Sequence, residues 1–295
     1  MHRVIAFVLA LAGAPRAEAH HALGSTGPSQ FEVWLWCLLL IGAVFYARGI
    51  LRLWRKAGVG HGIRRLELVS FALGWASLAI ALLSPIDTVA EHSFAIHMIQ
   101  HELLMVVAAP LIVLGRPLET LLWGVPRQVR RAAAAVARTS AVQKLWQPVT
   151  SPVGAWSVHA LALWIWHAPI LFALALTSFG WHVAQHTCFF ASALGFWWSV
   201  FGGGARTADA RSIASLFTTM LHTSALGALL TFAPSAWYPL DAAPAFGLTA
   251  LEDQQLGGLV MWVPGGLAYM IAGLAVVRRW LSAPRVAGLG DVQPQ

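Results

Sequence analysis

The sequence predicts an all-α fold: a polytopic membrane helical bundle of seven transmembrane helices, with the mature N-terminus outside and the C-terminus cytoplasmic. Three observations predict it. Of 295 residues, 58% are hydrophobic and only 11% are charged, whereas soluble domains carry about a quarter charged residues. Apolar runs recur along the chain, each of about 20 residues, the length that crosses a hydrocarbon core. The Lys and Arg behind the formal charge of +7 fall in alternate connecting loops. That is the pattern the positive-inside rule demands, so the basic surplus reports topology and membrane lipid rather than nucleic acid.

The elements follow in order. Residues 1–19 read as a secretory signal peptide: His2 and Arg3 open it, Val4 to Ala14 is a short apolar stretch, and Ala17-Glu18-Ala19 fits a small-residue cleavage site. Residues 20–32 form an extracytoplasmic segment beginning His20-His21, residues 33–280 the seven-helix membrane domain, and residues 281–295 a cytoplasmic tail. Hydropathy places the spans near Val33–Trp54, Leu66–Leu83, Ser93–Leu114, Val153–Leu176, Trp181–Phe201, Ser212–Ala233 and Leu256–Val277.

The loops set orientation. The first holds Arg55, Lys56, Arg64 and Arg65; the third Arg116, Arg127, Arg130, Arg131, Arg138 and Lys144; the fifth Arg206 and Arg211. The tail carries Arg278, Arg279 and Arg285, while the second, fourth and sixth loops contain no Lys or Arg. The third loop includes an Ala- and Arg-rich piece, Val125 to Val142, with the pattern of an amphipathic helix drawn to anionic lipid. Fifteen Trp suit the headgroup level. Cys37 and Cys188 lie far apart in predicted spans and form no C-x-x-C motif.

Histidine carries the chemistry. Ionisable residues inside a membrane are costly and default to a functional reading, and imidazole suits copper, zinc, iron or haem. His97 and His101 open the third span one turn apart, and His182 and His186 repeat that spacing in the fifth. Residues four apart share a helix face, so each pair is half of a metal site. Both spans enter from outside, which puts the pairs at matching depths. His167 lies in the outer half of the fourth span, and His222 sits near the middle of the sixth.

Single residues carry less weight. A lone membrane histidine such as His222 more often hydrogen-bonds a neighbouring helix than binds metal. His92, Met98 and Asp253 are subsidiary candidates for the site. Met98, Met105 and Met261 could offer thioethers to reduced copper, although Met is also a common core filler. Glu102, beside His101, is a candidate to orient a ligating histidine from behind, to carry protons, or to pair with another helix's histidine. His159, two turns from the cytoplasmic end of the fourth span, is left out of the site.

One string combines several of these residues: Glu91-His92-Ser93-Phe94-Ala95-Ile96-His97-Met98-Ile99-Gln100-His101-Glu102, followed by Ala109-Pro110-Leu111 and Gly115-Arg116-Pro117. With Trp166-His167-Ala168-Pro169, the His182-to-His186 segment running into Phe196-Trp197-Trp198, Asp253-Gln254-Gln255-Leu256-Gly257-Gly258, and Met261-Trp262-Val263-Pro264-Gly265, it resembles the CtaG family of cytochrome c oxidase assembly proteins, the branch associated with caa-type oxidases. The resemblance runs from about Leu66 to Val277. It implies a seven-span protein of the bacterial cytoplasmic membrane that is needed to make active oxidase. It further implies cytochrome c oxidase subunits as partners and a copper-related role. An unrelated single-span copper-delivery protein shares the CtaG label but uses closely spaced cysteines, which this chain lacks.

The reading is therefore a non-enzymatic assembly factor that binds copper at outer-leaflet histidines and supports metallation or maturation of the oxidase. A membrane copper transporter is the alternative, and it would need polar stepping stones in the inner half, where His159 and His222 are the candidates. A haem-binding electron carrier is a further alternative, for which paired i, i+4 histidines are redundant. There is no G-x-G-x-x-G, P-loop, nucleophile elbow or H-E-x-x-H motif.

Overall fold

A computed structural model describes residues 30–202, 210–238 and 247–282, and every regular element among them is helical. The expected signal peptide lies outside the described residues, as do His20, His21 and all but the start of the expected tail. The helices are α1 (Gln30–Ala57), α2 (Arg65–Leu83), α3 (Pro85–Ala90), α4 (Phe94–Leu114), α5 (Pro117–Gly124) and α6 (Arg127–Ala137). They continue with α7 (Ser140–Thr150), α8 (Pro152–Trp166), α9 (Pro169–Thr177), α10 (Phe179–Phe201), α11 (Ala210–Thr231) and α12 (Ala250–Leu281).

Five of these, α1, α2, α4, α11 and α12, are long and apolar enough to cross a membrane, and α8 with α9 makes a sixth if the pair counts as one span. The sequence expected seven. The difference is α10: its 23 residues reach about 34 Å at 1.5 Å per residue, but His182, Gln185, His186 and Ser192 dilute its apolarity. The expected fourth span is not straight. Pro169 has no N–H to continue α8 and disfavours the helical conformation at Ala168, which adopts φ −61° and ψ 130°. The two halves meet at 75°. His167 stands at that elbow.

Apolar side chains such as Leu40, Leu73, Leu161, Phe217 and Leu274 point outward and are exposed, an arrangement suited to lipid rather than water. Small residues let helix backbones approach: a side chain at Gly49 would strike the Thr120 carbonyl, one at Gly124 the Phe45 carbonyl, and one at Gly258 the Gly227 carbonyl. These contacts seat α1 on α5 and α11 on α12. Arg52 Nη1 then donates to the carbonyls of Trp123, Gly124 and Val125 at 2.9–3.0 Å, satisfying the end of α5. The turn after α1 reverses through Gly58, Gly60 and Gly62, all at positive φ, a region glycine enters without steric cost.

The most enclosed span is α4, packed between α2, α10 and α12. Two π-helical stretches interrupt the long spans, Leu103–Ala108 in α4 and Met261–Gly265 in α12. Each goes with a proline: Pro110 lies just after the first, and Pro264 lies within the second. In α4 the irregularity is accommodated by α10, whose Trp197 indole N–H donates to the Met105 carbonyl at 2.8 Å. Such π segments often mark functional positions, and this one begins directly after His101 and Glu102.

Candidate metal centre

The first two turns of α4 and of α10 face each other at one end of the bundle. Within each helix the i, i+4 spacing sets the rings edge to face: His97 and His101 have centroids 4.4 Å apart, and His182 and His186 4.2 Å apart. Across the helices, His101 meets His186 at 5.3 Å, and His97 meets His186 at 5.9 Å and His182 at 5.5 Å. Ligating nitrogens of His97, His101 and His186 all lie within 4.8 Å of one another. Nitrogens sharing one ion at about 2.0 Å stand roughly 3.5 Å apart, a spacing that small ring rotations would give this triad. His167 reaches the group from the α8–α9 elbow, 6.2 Å from His101.

The hydrogen bonds decide which nitrogens are available. Nδ1 of His97 faces the Ala90 carbonyl at 3.4 Å, and Nδ1 of His167 faces the Leu163 carbonyl at 2.7 Å. Facing a carbonyl, Nδ1 must be the donor, which leaves the lone pair on Nε2. Nε2 of His97, His167 and His186, and both nitrogens of His101, are buried without a hydrogen-bond partner. Buried polar atoms are normally paired, so several orphans converging on one spot call for a ligand. The nearby His159 shows the ordinary alternative. Tyr269 faces its Nε2 at 3.4 Å, Ser192 faces its Nδ1 at 3.1 Å, and the Ser192 hydroxyl donates onward to the Phe189 carbonyl. Every position of that ring is used within the protein.

The surrounding polar groups fix the helices rather than join the cluster. Asp253, from the first turn of α12, accepts from Ser93 Oγ at 2.8 Å and from the backbone N–H groups of Phe94 and Ala95. It thus caps α4 from another helix, where a negative charge is favoured. Gln254 accepts from Trp237 N at 2.6 Å, and Gln255 donates to the Ala233 carbonyl at 3.2 Å, which tie down the preceding loop. Tyr238 in that loop donates to the His167 carbonyl at 2.9 Å, stacks on Phe94 and packs at a tilt against Phe172, roofing the cluster with aromatic rings. Burial raises the Tyr238 phenol above its ordinary value.

The expected site residues therefore divide. His97, His101, His182, His186 and His167 come together. His222 does not: both its nitrogens are unpartnered, but its neighbour is Trp156 of α8, 5.9 Å away. His92 is exposed. Met98 packs in an apolar cluster with Phe94, Phe172, Leu226 and Met261, and Met105 belongs to the main core. Both oxygens of Asp253 are committed to capping. Glu102 presses its carboxylate against Gly265 at the end of the second π segment, where an added Cβ would meet Oε2 at 2.9 Å.

Two residues escaped the sequence reading. Asp87 on the short α3 lies with His182 and His186 in a second triad, again within 4.8 Å. Gln100 Nε2 donates to its Oδ1 at 2.6 Å and to the Ala81 carbonyl at 2.8 Å. Burial raises the Asp87 carboxyl above the usual carboxylate range, with the Gln100 hydrogen bond opposing. Gln185, buried on α10 beside His97, is the other. The signal for Asp87 was an acidic residue two positions after Ser84-Pro85, a helix-starting pair that directly follows the second span.

Comparison with curated proteins and with solved structures gives no match. The family model described as cytochrome c oxidase caa3 assembly factor (Caa3_CtaG) matches residues 44–283, a stretch that holds every histidine of the cluster together with Asp87 and Asp253. Spanning well over half of the sequence, that match shows that the chain belongs to the cytochrome c oxidase caa3 assembly factor family.

Proposed function

We propose that this assembly factor holds copper at His97, His101 and His186, with His167 as a fourth ligand, and supports metallation of the oxidase in the same membrane. The observation that carries the reading is the convergence of buried imidazole nitrogens without protein partners. Neighbouring rings of this set are 4.4–6.2 Å apart between centroids, a spacing suited to one ion rather than to a flat macrocycle. Neutral imidazoles bind copper well, and aromatic packing keeps water from competing. Transport across the bilayer is less well supported. In the other half of the bundle, His159 is already satisfied by Ser192 and Tyr269.

The proposal includes topology. Seven segments cross the membrane, α8 with α9 forming one bent span and α10 another. The cluster lies at the outer face and the Arg-rich ends at the cytoplasmic face, as the charge pattern demands. An outer location would present the ion to the oxidase on the side opposite the basic loops.

The test is metal analysis of the purified full-length protein together with oxidase activity in membranes. Replacing His97 and His101 together with Ala is expected to abolish copper that survives a chelator wash and to lower oxidase activity. Wild-type protein that retains no copper, or a double variant that retains as much as wild type, would refute the reading.

A further inference from the structure

We infer that the ion reaches the buried triad through a second, shallower position formed by Asp87, His182 and His186, and passes inward by ligand exchange about His186. This rests on the copper reading above and assigns the route by which that site fills.

Three observations lead there. Two groups of ligating atoms, each within 4.8 Å, share a single residue, His186. Burial differs between them: Asp87 and His182 are partly exposed, while His97, His101 and His186 are buried. Depth along the helices agrees, because His182 lies one turn before His186 in α10 and Asp87 precedes α4 altogether. A cation arriving from the solvent side meets Asp87 and His182 first.

The chemistry gives the order a direction. Asp87 is the carboxylate of the pair of triads, and it attracts a cation at a partly exposed position. Carboxylate oxygen suits hard ions, whereas copper(I) prefers nitrogen. Exchanging Asp87 and His182 for His97 and His101, with His186 held throughout, moves the ion from a mixed site to an all-imidazole one. Two ligands leave, two arrive, and no electron or covalent bond is transferred. The rings of His97 and His182 are 5.5 Å apart, so the incoming ligand already stands beside the outgoing one. Gln100 keeps Asp87 aligned, since it grips Oδ1 from the residue preceding His101.

A shared His186 also predicts exclusivity. One ion occupies one position or the other, so the chain saturates at one copper.

The experiment uses full-length protein in detergent under reducing, anaerobic conditions, with copper(I) as the probe and a coloured copper(I) chelator as the acceptor. Loading and release are followed by stopped flow. Asp87→Asn keeps the shape and the Gln100 contact but removes the charge. It is expected to leave the tightly held copper at one per chain while slowing both loading and release by about tenfold. Asp87→Glu is expected to recover most of the rate, and His182→Ala to slow exchange as Asp87→Asn does. Unchanged rates in Asp87→Asn would overturn the inference while leaving the copper reading intact. So would loss of tightly held copper from Asp87→Asn equal to that from His101→Ala, or two coppers per wild-type chain at saturation. If wild-type protein binds no copper, both readings fall.

Discussion

A buried imidazole becomes a brace or a ligand according to where its second nitrogen goes. His159 spends both on Tyr269 and Ser192, whereas His101 has neither nitrogen partnered. His159→Phe is therefore expected to keep copper content at the wild-type level while lowering stability by about 1–3 kcal/mol, the usual cost of stranding a buried hydroxyl such as that of Tyr269. Thermal unfolding in parallel with metal analysis separates the two effects, and loss of copper from this variant would contradict the assignment. The i, i+4 spacing made the two pairs legible in the sequence, because that spacing alone fixes a common helix face. It did not fix which way the face turns, and so His222 was grouped with residues it does not meet.

Among the elements, the bent pair α8 and α9 has the most to say about the site. Hydropathy placed a single straight span over Val153–Leu176, and only the chain direction at Pro169 separates that from the observed 75° elbow. Straightening it would carry His167 away from His101. Pro169→Ala, which restores a backbone donor and relaxes the constraint on Ala168, is expected to weaken copper retention by roughly tenfold. Loss would not be complete, since His97, His101 and His186 are held by other helices; the readout is a chelator titration against wild type. The remaining span boundaries agree with the sequence reading to within a few residues, apart from α12, which begins earlier at Ala250. That early turn was read as loop because Glu252, Asp253, Gln254 and Gln255 are polar. Their polarity serves capping and loop anchoring instead. Asp87 was missed for a related reason: α3 is too short to show periodicity.

For the molecule as a whole, the proposed orientation is open to a direct labelling test. Cys37 and Cys188 are first replaced by Ser, because both are exposed. A cysteine introduced at Glu91, beside the cluster, should then react with a membrane-impermeant thiol reagent in intact spheroplasts. One at Arg138, in the basic loop, should react only after lysis, and the reverse pattern would invert the topology. The cluster draws on α4, α8, α9 and α10, and the cap on α4 comes from α12. Asp253 lies 160 positions after Ser93, and a ribosome adding about 5–20 residues per second needs on the order of ten to thirty seconds to cover that distance. In the later part of that interval, once residue 186 has been added, the nascent chain carries His97, His101, His167 and His186, but the start of α4 still lacks its carboxylate anchor. The arrangement of the histidine cluster is thus anchored only once α12 has been added. A product truncated before the last span would carry every histidine of the cluster and still leave the start of α4 without the carboxylate that fixes it.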